Sequence, residues 1–194
     1  MQMLRPRMPR EQGAYPFTMG CVNFTIREYR PQDFDTLWRI DQECFPPGIS
    51  YSRLELAVYM RRAASFTLIA ESVVNASNRL ATEALPDAVS PIEILGFIVA
   101  TCNRKRMSHI ITIDVRQDAR RLRVGSGLLK AAEKRLRTAR SSWVELETAV
   151  DNLAALAFYK RHGYDLVKTI PRYYSNGVDA LVLRKDLFST SEGS

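Results

Sequence analysis

The feature that most constrains the fold is the alternation of short apolar segments with amphipathic segments along residues 22–187. Short apolar runs, or apolar residues at every second position, predict strands, whereas apolar residues at three- and four-residue spacing predict helices. The resulting order is β-α-α-β-β-β-α-β-α-β-β, with no internal repeat. Because single strands and helices are interspersed, this order predicts one mixed α/β domain.

Three helix ends carry local signals. Ser52 and Glu55 have the spacing of a capping box, in which each side chain satisfies a backbone amide of the first turn. Asn152 is expected to cap the helix that follows it. Gly163 is expected to end that helix, because glycine adopts a left-handed conformation at little cost.

Three segments lack a helical or strand period. Residues 1–21 and 188–194 are expected to be a flexible leader and a flexible tail, outside a single domain that covers residues 22–187. Residues 72–92 are rich in Asn, Ser, Pro and Asp, and they predict a long exposed excursion between two strands.

The composition excludes several classes of protein. The chain has 46% hydrophobic and 25% charged residues in 194, which is typical of a globular protein. No window approaches 18 consecutive apolar residues, and no apolar run follows the basic N terminus, so neither a membrane span nor a signal peptide is expected. The three cysteines (Cys21, Cys44 and Cys102) are far apart and have no histidine cluster beside them, which argues against a disulfide framework and a metal site. We therefore expect a protein of the reducing cytoplasm.

Positive charge is concentrated in one part of the chain. The net charge is +7, but residues 104–140 contain twelve Lys and Arg against three acids and so carry +9. This segment predicts an anionic partner, namely a phosphate group, nucleic acid or a membrane surface. The alternative is a solvated helix face.

Within the basic segment, residues 118–129 lie between a predicted strand and the start of a predicted helix. A helix start offers unpaired backbone amides and roughly half a positive charge. The small residues Gly125, Ser126 and Gly127 would let a pyrophosphate approach these amides, and Arg120 and Arg121 would add charge. The alternative is an ordinary loop whose glycines serve packing.

Several motifs together resemble the GCN5-related N-acetyltransferase (GNAT) family. They are Arg120 and Gly125 ahead of a helix, a strand that ends with Glu147, and Asn152 followed by the sequence AFYKRHGY at residues 157–164. The resemblance covers residues 22–187 and is closest to the branch that acetylates protein N-termini, which includes the enzyme acting on a ribosomal-protein alanine. It implies a mixed, mostly antiparallel sheet of about seven strands, flanked by about four helices and splayed between the fourth and fifth strands.

The resemblance also implies acetyl-CoA as donor, CoA as product and no metal. The pyrophosphate would lie on the basic loop, and the pantetheine arm would pair with the main chain of the preceding strand. The cofactor-binding residues that it predicts are Ile113, Asp114, Val115, Arg120, Arg121, Arg123, Val124, Gly125, Ser126, Gly127, Asn152 and Tyr159.

Arg123 departs from the family pattern, because it stands where the first glycine of the phosphate loop is expected. Its Cβ would either crowd the phosphates or demand a backbone angle that arginine disfavours. Alternatively, in a right-handed conformation, its guanidinium would add a phosphate contact. Because Arg120, Gly125, Asn152 and Tyr159 keep their places, we favour tolerance of this substitution.

Two residues are predicted to move protons. In the family branch resembled here, the strand position of Glu147 supplies a general base, often through a water molecule. Tyr159, in the helix after Asn152, is the predicted general acid, since a phenol can protonate a leaving thiolate. Glu145 has the same strand parity as Glu147 and is the weaker candidate for the base.

Other candidate groups receive less weight. A second base at His109 is an alternative, but a surface or core histidine is favoured there. His162 is expected to be structural, since a positive charge is favourable at a helix C-terminus. A nucleophilic Cys44 or Cys102 would need a base partner that the sequence does not indicate.

On the acceptor side, the loop at residues 45–51 and the turn at residues 171–174 resemble the two walls of the family's peptide groove. The predicted substrate-binding residues are Phe45, Pro46, Gly48, Ile49, Tyr51, Tyr173 and Tyr174. The alternative is that these are packed loop anchors.

The sequence thus predicts an acetyl-CoA-dependent N-acetyltransferase that transfers acetyl directly to the α-amino group of a protein or peptide N-terminus. Transfer to a small-molecule amine or a lysine side chain is the nearest alternative. A non-catalytic module that binds acyl-CoA is a further alternative, and nucleic acid is a less favoured ligand of such a module.

Overall fold

The computed structural model describes residues 23–72, 92–103 and 107–188. The predicted leader, nearly all of the predicted excursion at 72–92 and the predicted tail beyond residue 188 lie outside these residues. The same holds for the three basic residues 104–106.

The order of helices and strands agrees with the sequence prediction. The strands are β1 (Phe24–Glu28), β2 (Ser65–Ser72), β3 (Ile94–Cys102), β4 (Met107–Val115), β5 (Trp143–Ala149), β6 (Asp165–Ile170) and β7 (Ala180–Asp186). The helices are α1 (Phe34–Cys44), α2 (Arg53–Arg61), α3 (Val124–Thr138) and α4 (Leu153–Arg161). Short 3-10 turns at Pro31–Asp33 and Gln117–Ala119 precede α1 and α3.

The strands form one seven-stranded sheet in the order β1-β2-β3-β4-β5-β7-β6. Every neighbouring pair is antiparallel except β4 and β5, which are parallel. These two strands pair only from Met107 to His109 against Trp143 to Glu145, although both continue further. The predicted mixed, mostly antiparallel sheet is therefore confirmed, and so is its splay between the fourth and fifth strands.

Helices cover both faces of the sheet and divide its apolar core into two clusters. Leu128, Leu129 and Leu136 of α3 are fully buried in the larger cluster, which also takes in Tyr159 of α4. On the other face, Leu37 of α1 belongs to a smaller cluster with α2. No helix in the described part of the chain is long and apolar enough to cross a membrane.

A β-bulge interrupts the pairing of β3 with β4. Ala100 is opposite Ile110 and Val99 is opposite Thr112, so that Ile111 is the extra residue. A bulge changes which side chains face each side of the strand beyond it. Here it places Ile111 against the α1–α2 cluster and Ile110 against the α3–α4 cluster.

The predicted helix ends are confirmed. The amide of Glu55 donates to the Ser52 hydroxyl at 3.3 Å, and the amide of Ser52 donates to the Glu55 carboxylate at 2.9 Å. Asn152 accepts a hydrogen bond from the amide of Ala155 at 3.1 Å, and Gly163 has a φ of 78°. Local residue preferences therefore determine where α2 and α4 begin and where α4 ends.

Candidate active site

A histidine and a carboxylate meet where β4 and β5 begin to separate. Nε2 of His109 on β4 lies 2.6 Å from Oε2 of Glu147 on β5. Their side chains are 34% and 19% exposed, so the pair is partly buried but still reached by solvent. This hydrogen bond was not anticipated by the favoured interpretation of His109 as a surface or core residue. The strand parity of the two residues was visible in the sequence, but the pairing of their strands was not.

The second candidate acid on β5 has a different partner. Arg184 on β7 donates through Nε to Oε1 of Glu145 at 2.6 Å, and its guanidinium also lies over the Trp143 ring. A carboxylate in such a cross-strand ion pair is already committed to a permanent positive charge. The geometry therefore favours Glu147 over Glu145 as the acid available to a ligand.

Four tyrosines lie close to one another, and two of them, Tyr173 and Tyr174, lie near Glu147. The rings of Tyr51 and Tyr59 are 5.0 Å apart, and so are those of Tyr173 and Tyr174. Burial raises the pKa of both Tyr173 and Tyr174, and the negative charge of Glu147 raises each further. Tyr51, Tyr173 and Tyr174 were predicted acceptor residues, whereas Tyr59 on α2 was missed because its spacing fits an ordinary helix face.

The two loops that carry predicted acceptor residues touch each other. The hydroxyl of Ser175, between β6 and β7, donates to the carbonyl of Gly48, between α1 and α2, at 2.9 Å. Gly48 has a φ of 89°, and a Cβ on it would lie 2.9 Å from that hydroxyl oxygen, so both conformation and space favour glycine. Of the other predicted residues in this loop, Phe45 and Ile49 are half-buried and Pro46 is exposed.

Tyr159 on α4 belongs to the larger core cluster and is 5% exposed. Burial raises its pKa, and the charge of Asp114 and the neighbouring Tyr174 raise it further. The phenol is therefore neutral and can donate a hydrogen bond. Asp114 on β4 and Tyr174 in the β6–β7 loop therefore both lie near enough to Tyr159 to influence its charge state.

The end of β4 supplies the predicted cofactor strand. Ile113 and Val115 are half-buried against the α3–α4 core. Asp114 is fully buried, and its Oδ1 accepts a hydrogen bond from the Thr112 hydroxyl at 2.8 Å. Burial raises the pKa of Asp114 well above its usual range. Beyond His109 this strand has no pairing with β5, so its main chain borders the splay.

The thiol of Cys44 does not have the environment of a nucleophile. It donates to the Val115 carbonyl at 3.4 Å, and burial raises its pKa to about 11. A thiol that stays protonated is a poor nucleophile. Among the described residues, no group of three or more His, Cys, Asp or Glu side chains could hold a metal ion.

The basic loop has an unusual backbone. Arg121 and Arg123 are both left-handed, with φ values of 63° and 64°, and Arg123 is the N-cap of α3. The right-handed alternative for Arg123 is therefore wrong: the residue is left-handed, a conformation that is strained for any side chain with a Cβ. The amide of Gly127 bonds back to the Arg123 carbonyl at 2.9 Å. Val124, Gly125 and Ser126 thus provide the first-turn amides that an anion could bind.

The two glycines of this loop differ in their surroundings. A Cβ on Gly127 would lie 2.8 Å from the Phe24 ring of β1, so this glycine is required for packing. A Cβ on Gly125 would make ordinary contacts of 3.5 Å or more with Val115 and Phe158. The packing alternative therefore accounts for Gly127, while Gly125 lies at the open start of α3. The exposed Arg120 donates through Nε to the Val115 carbonyl at 3.2 Å, which ties the loop to β4.

His162 has the contacts expected of a structural residue. Its Nδ1 lies 2.8 Å from the Phe158 carbonyl, and the two rings are 4.4 Å apart. Both residues belong to the end of α4, so His162 stabilises that helix end and lies apart from the His109–Glu147 pair.

Comparison with known proteins identifies relatives of this chain. Residues 34–164 match the model of the acetyltransferase (GNAT) family. An uncharacterized N-acetyltransferase of Methanocaldococcus jannaschii is 34% identical over 93 residues, which are 47% of this chain and 59% of the relative. An N-alpha-acetyltransferase of Saccharolobus solfataricus is 25% identical over 169 residues, which are 85% of this chain and 94% of the relative. The matches to the relatives at about 30% identity span only half to three-fifths of those proteins.

Solved structures share the fold. Ard1 from Thermoplasma volcanium has a TM-score of 0.69 at 24% identity, covering 86% of this chain and 99% of its own. A chain of the NatC complex, solved with Gag peptide and CoA, has a TM-score of 0.64 at 22% identity, covering 84% of this chain and 98% of its own. Since the family model spans well over half of the sequence and the splayed sheet is the one expected of it, the chain belongs to the acetyltransferase (GNAT) family.

Proposed function

We propose that this protein is an acetyl-CoA-dependent N-acetyltransferase, with residues 22–187 as its catalytic domain, and that its acceptor is the α-amino group of a protein or peptide N-terminus. The observation that carries the proposal is the His109–Glu147 hydrogen bond of 2.6 Å at the base of the splay. In this proposal the pair is the proton acceptor, and it lies on β4 and β5 beside Tyr173 and Tyr174, which we assign to the acceptor side. Direct acetyl transfer needs a group that takes a proton from the acceptor amine, and this pair supports the proposal because it offers one.

The donor side has the groups that an acyl-CoA would need. The first-turn amides of α3 and the exposed side chains of Arg120, Arg121 and Arg123 suit the pyrophosphate. The main chain of Ile113–Val115 suits the amides of a pantetheine arm. The NatC chain, which has the same fold and was solved with CoA, supports this assignment.

The acceptor side favours a chain end over a lysine. Because Ser175 bonds to Gly48, the two loops that carry predicted acceptor residues are held together. We expect such a bridge to restrict the space beside the acceptor amine, which suits a chain end with one exit better than a lysine with backbone on both sides. The S. solfataricus relative, named an N-alpha-acetyltransferase, supports the same acceptor class.

The chemistry assigns one task to each group. An α-ammonium has a pKa near ~8, so its proton is readily lost to the His109–Glu147 pair. The neutral amine then attacks the thioester carbonyl, forming the C–N bond while the C–S bond breaks. The nitrogen loses its second proton to solvent as the amide forms. Tyr159, as the general acid, donates its phenolic proton to the leaving thiolate, which departs as the thiol, and Tyr159 is then reprotonated from solvent. The free thiols Cys44 and Cys102 fit the reducing cytoplasm, where we propose that the reaction occurs.

The test uses three acceptors with acetyl-CoA and purified protein. One peptide has a free N-terminus and an internal lysine, its twin has a blocked N-terminus, and the third acceptor is a polyamine. We expect tandem mass spectrometry to locate acetyl on the α-amine of the first peptide, with little product from the other two. A higher kcat/KM for the blocked peptide or the polyamine would overturn the acceptor class. Binding of acetyl-CoA without turnover of any of the three would indicate a non-catalytic module.

A further inference from the structure

A carboxylate that takes no part in the proposed chemistry holds the acceptor loop. Asp41, in the last turns of α1, is fully buried. Its Oδ2 accepts hydrogen bonds from the backbone amide of Tyr51 at 2.9 Å and from Nε2 of Gln42 at 2.9 Å. Tyr51 is one of the tyrosines that border the groove, so α1 is bonded directly to the acceptor wall.

Further bonds hold Tyr51 at both its carbonyl and its hydroxyl. Its carbonyl accepts from Nε2 of Gln42 at 2.8 Å and from Nε1 of Trp38 at 3.2 Å. Its hydroxyl donates to the carbonyl of Ile111 at 3.3 Å. Ile111 is the bulged residue of β4, two positions after His109. The main chain of Tyr51 is thus fastened to α1, and its ring reaches the strand that carries the proton acceptor.

Burying the Asp41 carboxylate at this position lowers the stability of the fold. Oδ1 of Asp41 is buried and has no hydrogen-bond partner among the residues that the structure describes, and burial raises the pKa of the Asp41 carboxyl to about 6. The groups around it are Tyr51 and Gln42, which favour its charged form, together with the acids Glu55 on α2 and Asp114 on β4. Burying an incompletely paired carboxylate destabilises a fold. Such a group is expected where its precise bond to the loop is needed for function.

We propose that Asp41 is a positioning residue for the acceptor site. By holding the backbone of Tyr51, it sets the distance between the tyrosine wall and β4, and thereby the affinity for the acceptor, without touching it. The inference rests on the proposed function, since it assumes that the acceptor groove borders Tyr51. Its signature is a change in the KM of the peptide acceptor that leaves the KM of acetyl-CoA unaltered.

The test compares two variants of Asp41 with a control on the same helix. Asp41→Ala removes the acceptor of the Tyr51 amide and should raise the peptide KM by about 10-fold or more, the size of one lost charge-assisted hydrogen bond. Asp41→Asn keeps an oxygen that can accept both hydrogen bonds and should restore the peptide KM to within about 3-fold of the parent. Glu43→Ala, an exposed neighbour on α1, should leave both KM values unchanged.

Gln42→Ala gives a second test if Asp41→Ala does not fold. Gln42 is exposed and bonds both to Asp41 and to the Tyr51 carbonyl, so its loss should raise the peptide KM in the same direction. A peptide KM unchanged in both Gln42→Ala and any folded Asp41→Ala would overturn the proposal. A parallel rise in the KM of acetyl-CoA would also overturn the proposal, because it would indicate that the whole active site, and not the acceptor side alone, had become less ordered.

Amide exchange of Tyr51, followed by NMR, separates this inference from the proposed function because it requires no turnover. We expect the Tyr51 amide to exchange at least about 10-fold faster in Gln42→Ala than in the parent and in Asp41→Asn. If the parent protein acetylates no peptide, the proposed function fails, and the exchange rate still reports whether Asp41 and Gln42 hold the loop. Unchanged exchange in the variants would contradict that holding role even in an active enzyme.

Discussion

The His109–Glu147 hydrogen bond allows a quantitative test of how the proton acceptor works. The bond uses Nε2 of His109 and Oε2 of Glu147, so Nδ1 and Oε1 remain as the two positions that can face an amine. If the residues act as a unit, removing either one disables the same step. Their contributions to kcat/KM should then be strongly non-additive.

The expected magnitudes follow from the geometry. A partly buried hydrogen bond to a charged group contributes about 1.5–3 kcal/mol, which corresponds to about 10- to 150-fold in rate. His109→Ala should therefore lower kcat/KM by about 10- to 150-fold. Glu147→Gln removes the carboxylate and should lower it by about 100-fold or more, the usual contribution of a general base. The double variant should be no more than about 3-fold slower than Glu147→Gln alone.

The assay is a double-mutant cycle on the free-N-terminus peptide, at saturating acetyl-CoA and one fixed pH. Glu145→Gln is the matched control, because Glu145 lies on the same side of β5 but is paired with Arg184, and it should change kcat/KM by less than about 3-fold. If the double variant instead lost kcat/KM by the product of the two single losses, the idea that His109 and Glu147 act as a unit would be refuted. Full activity of Glu147→Gln would refute the role of this carboxylate altogether.

Three further predictions concern the phosphate loop and the buried acid. In denaturant unfolding, Arg123→Gly should be more stable than Arg123→Ala by about 1 kcal/mol, because only glycine relieves the strain of the left-handed backbone at this N-cap. Equal stability of the two variants would contradict that strain. Gly127→Ala should lower the free energy of unfolding by about 1–3 kcal/mol, because its Cβ would clash with Phe24, whereas Gly125→Ala should lower it by less than about 1 kcal/mol. Denaturant unfolding of both variants checks this, and a larger loss in Gly125→Ala would contradict the packing described for the two glycines. Burial raises the pKa of Asp41 to about 6, above its value near ~3.9 in the unfolded chain, so the folded state binds the proton more tightly. The stability that this group contributes is therefore complete below about pH 4 and is lost as the pH rises through about 6. Between these two pH values, the free energy of unfolding in urea should fall by about 3 kcal/mol less in Asp41→Asn than in the parent. An equal fall in both proteins would show that another group titrates in this range.

Much of the fold could be predicted because its signals are local. The capping residues Ser52 and Asn152 and the terminating Gly163 act on backbone groups within four residues, so their effect does not depend on the rest of the chain. The apolar periods of the strands and helices are also local, and they indicated the correct order of elements. The splay of the sheet, by contrast, was expected only from the family resemblance, since no local signal encodes which strands diverge.

The candidate site was predictable only in part. Glu147 and Tyr159 occupy positions that fit their predicted roles, and these roles stay predictions until they are tested. Strand parity could not separate Glu147 from Glu145, and Glu147 was preferred only because its distance from Asn152 fits the pattern of the family it resembles. The difference lies in their cross-strand partners, which are His109 for one and Arg184 for the other.

By itself, the sequence determined the α/β class, the helix boundaries and the family, because these depend on periodicity, capping and short motifs of neighbouring residues. Only the tertiary structure decided which distant groups meet: His109 with Glu147 across 38 positions, and Ser175 with Gly48 across 127. It also decided that Arg123 adopts a left-handed conformation. The physical reason is that strand register, loop closure and burial are properties of the whole packed chain, and no local pattern of residues specifies them.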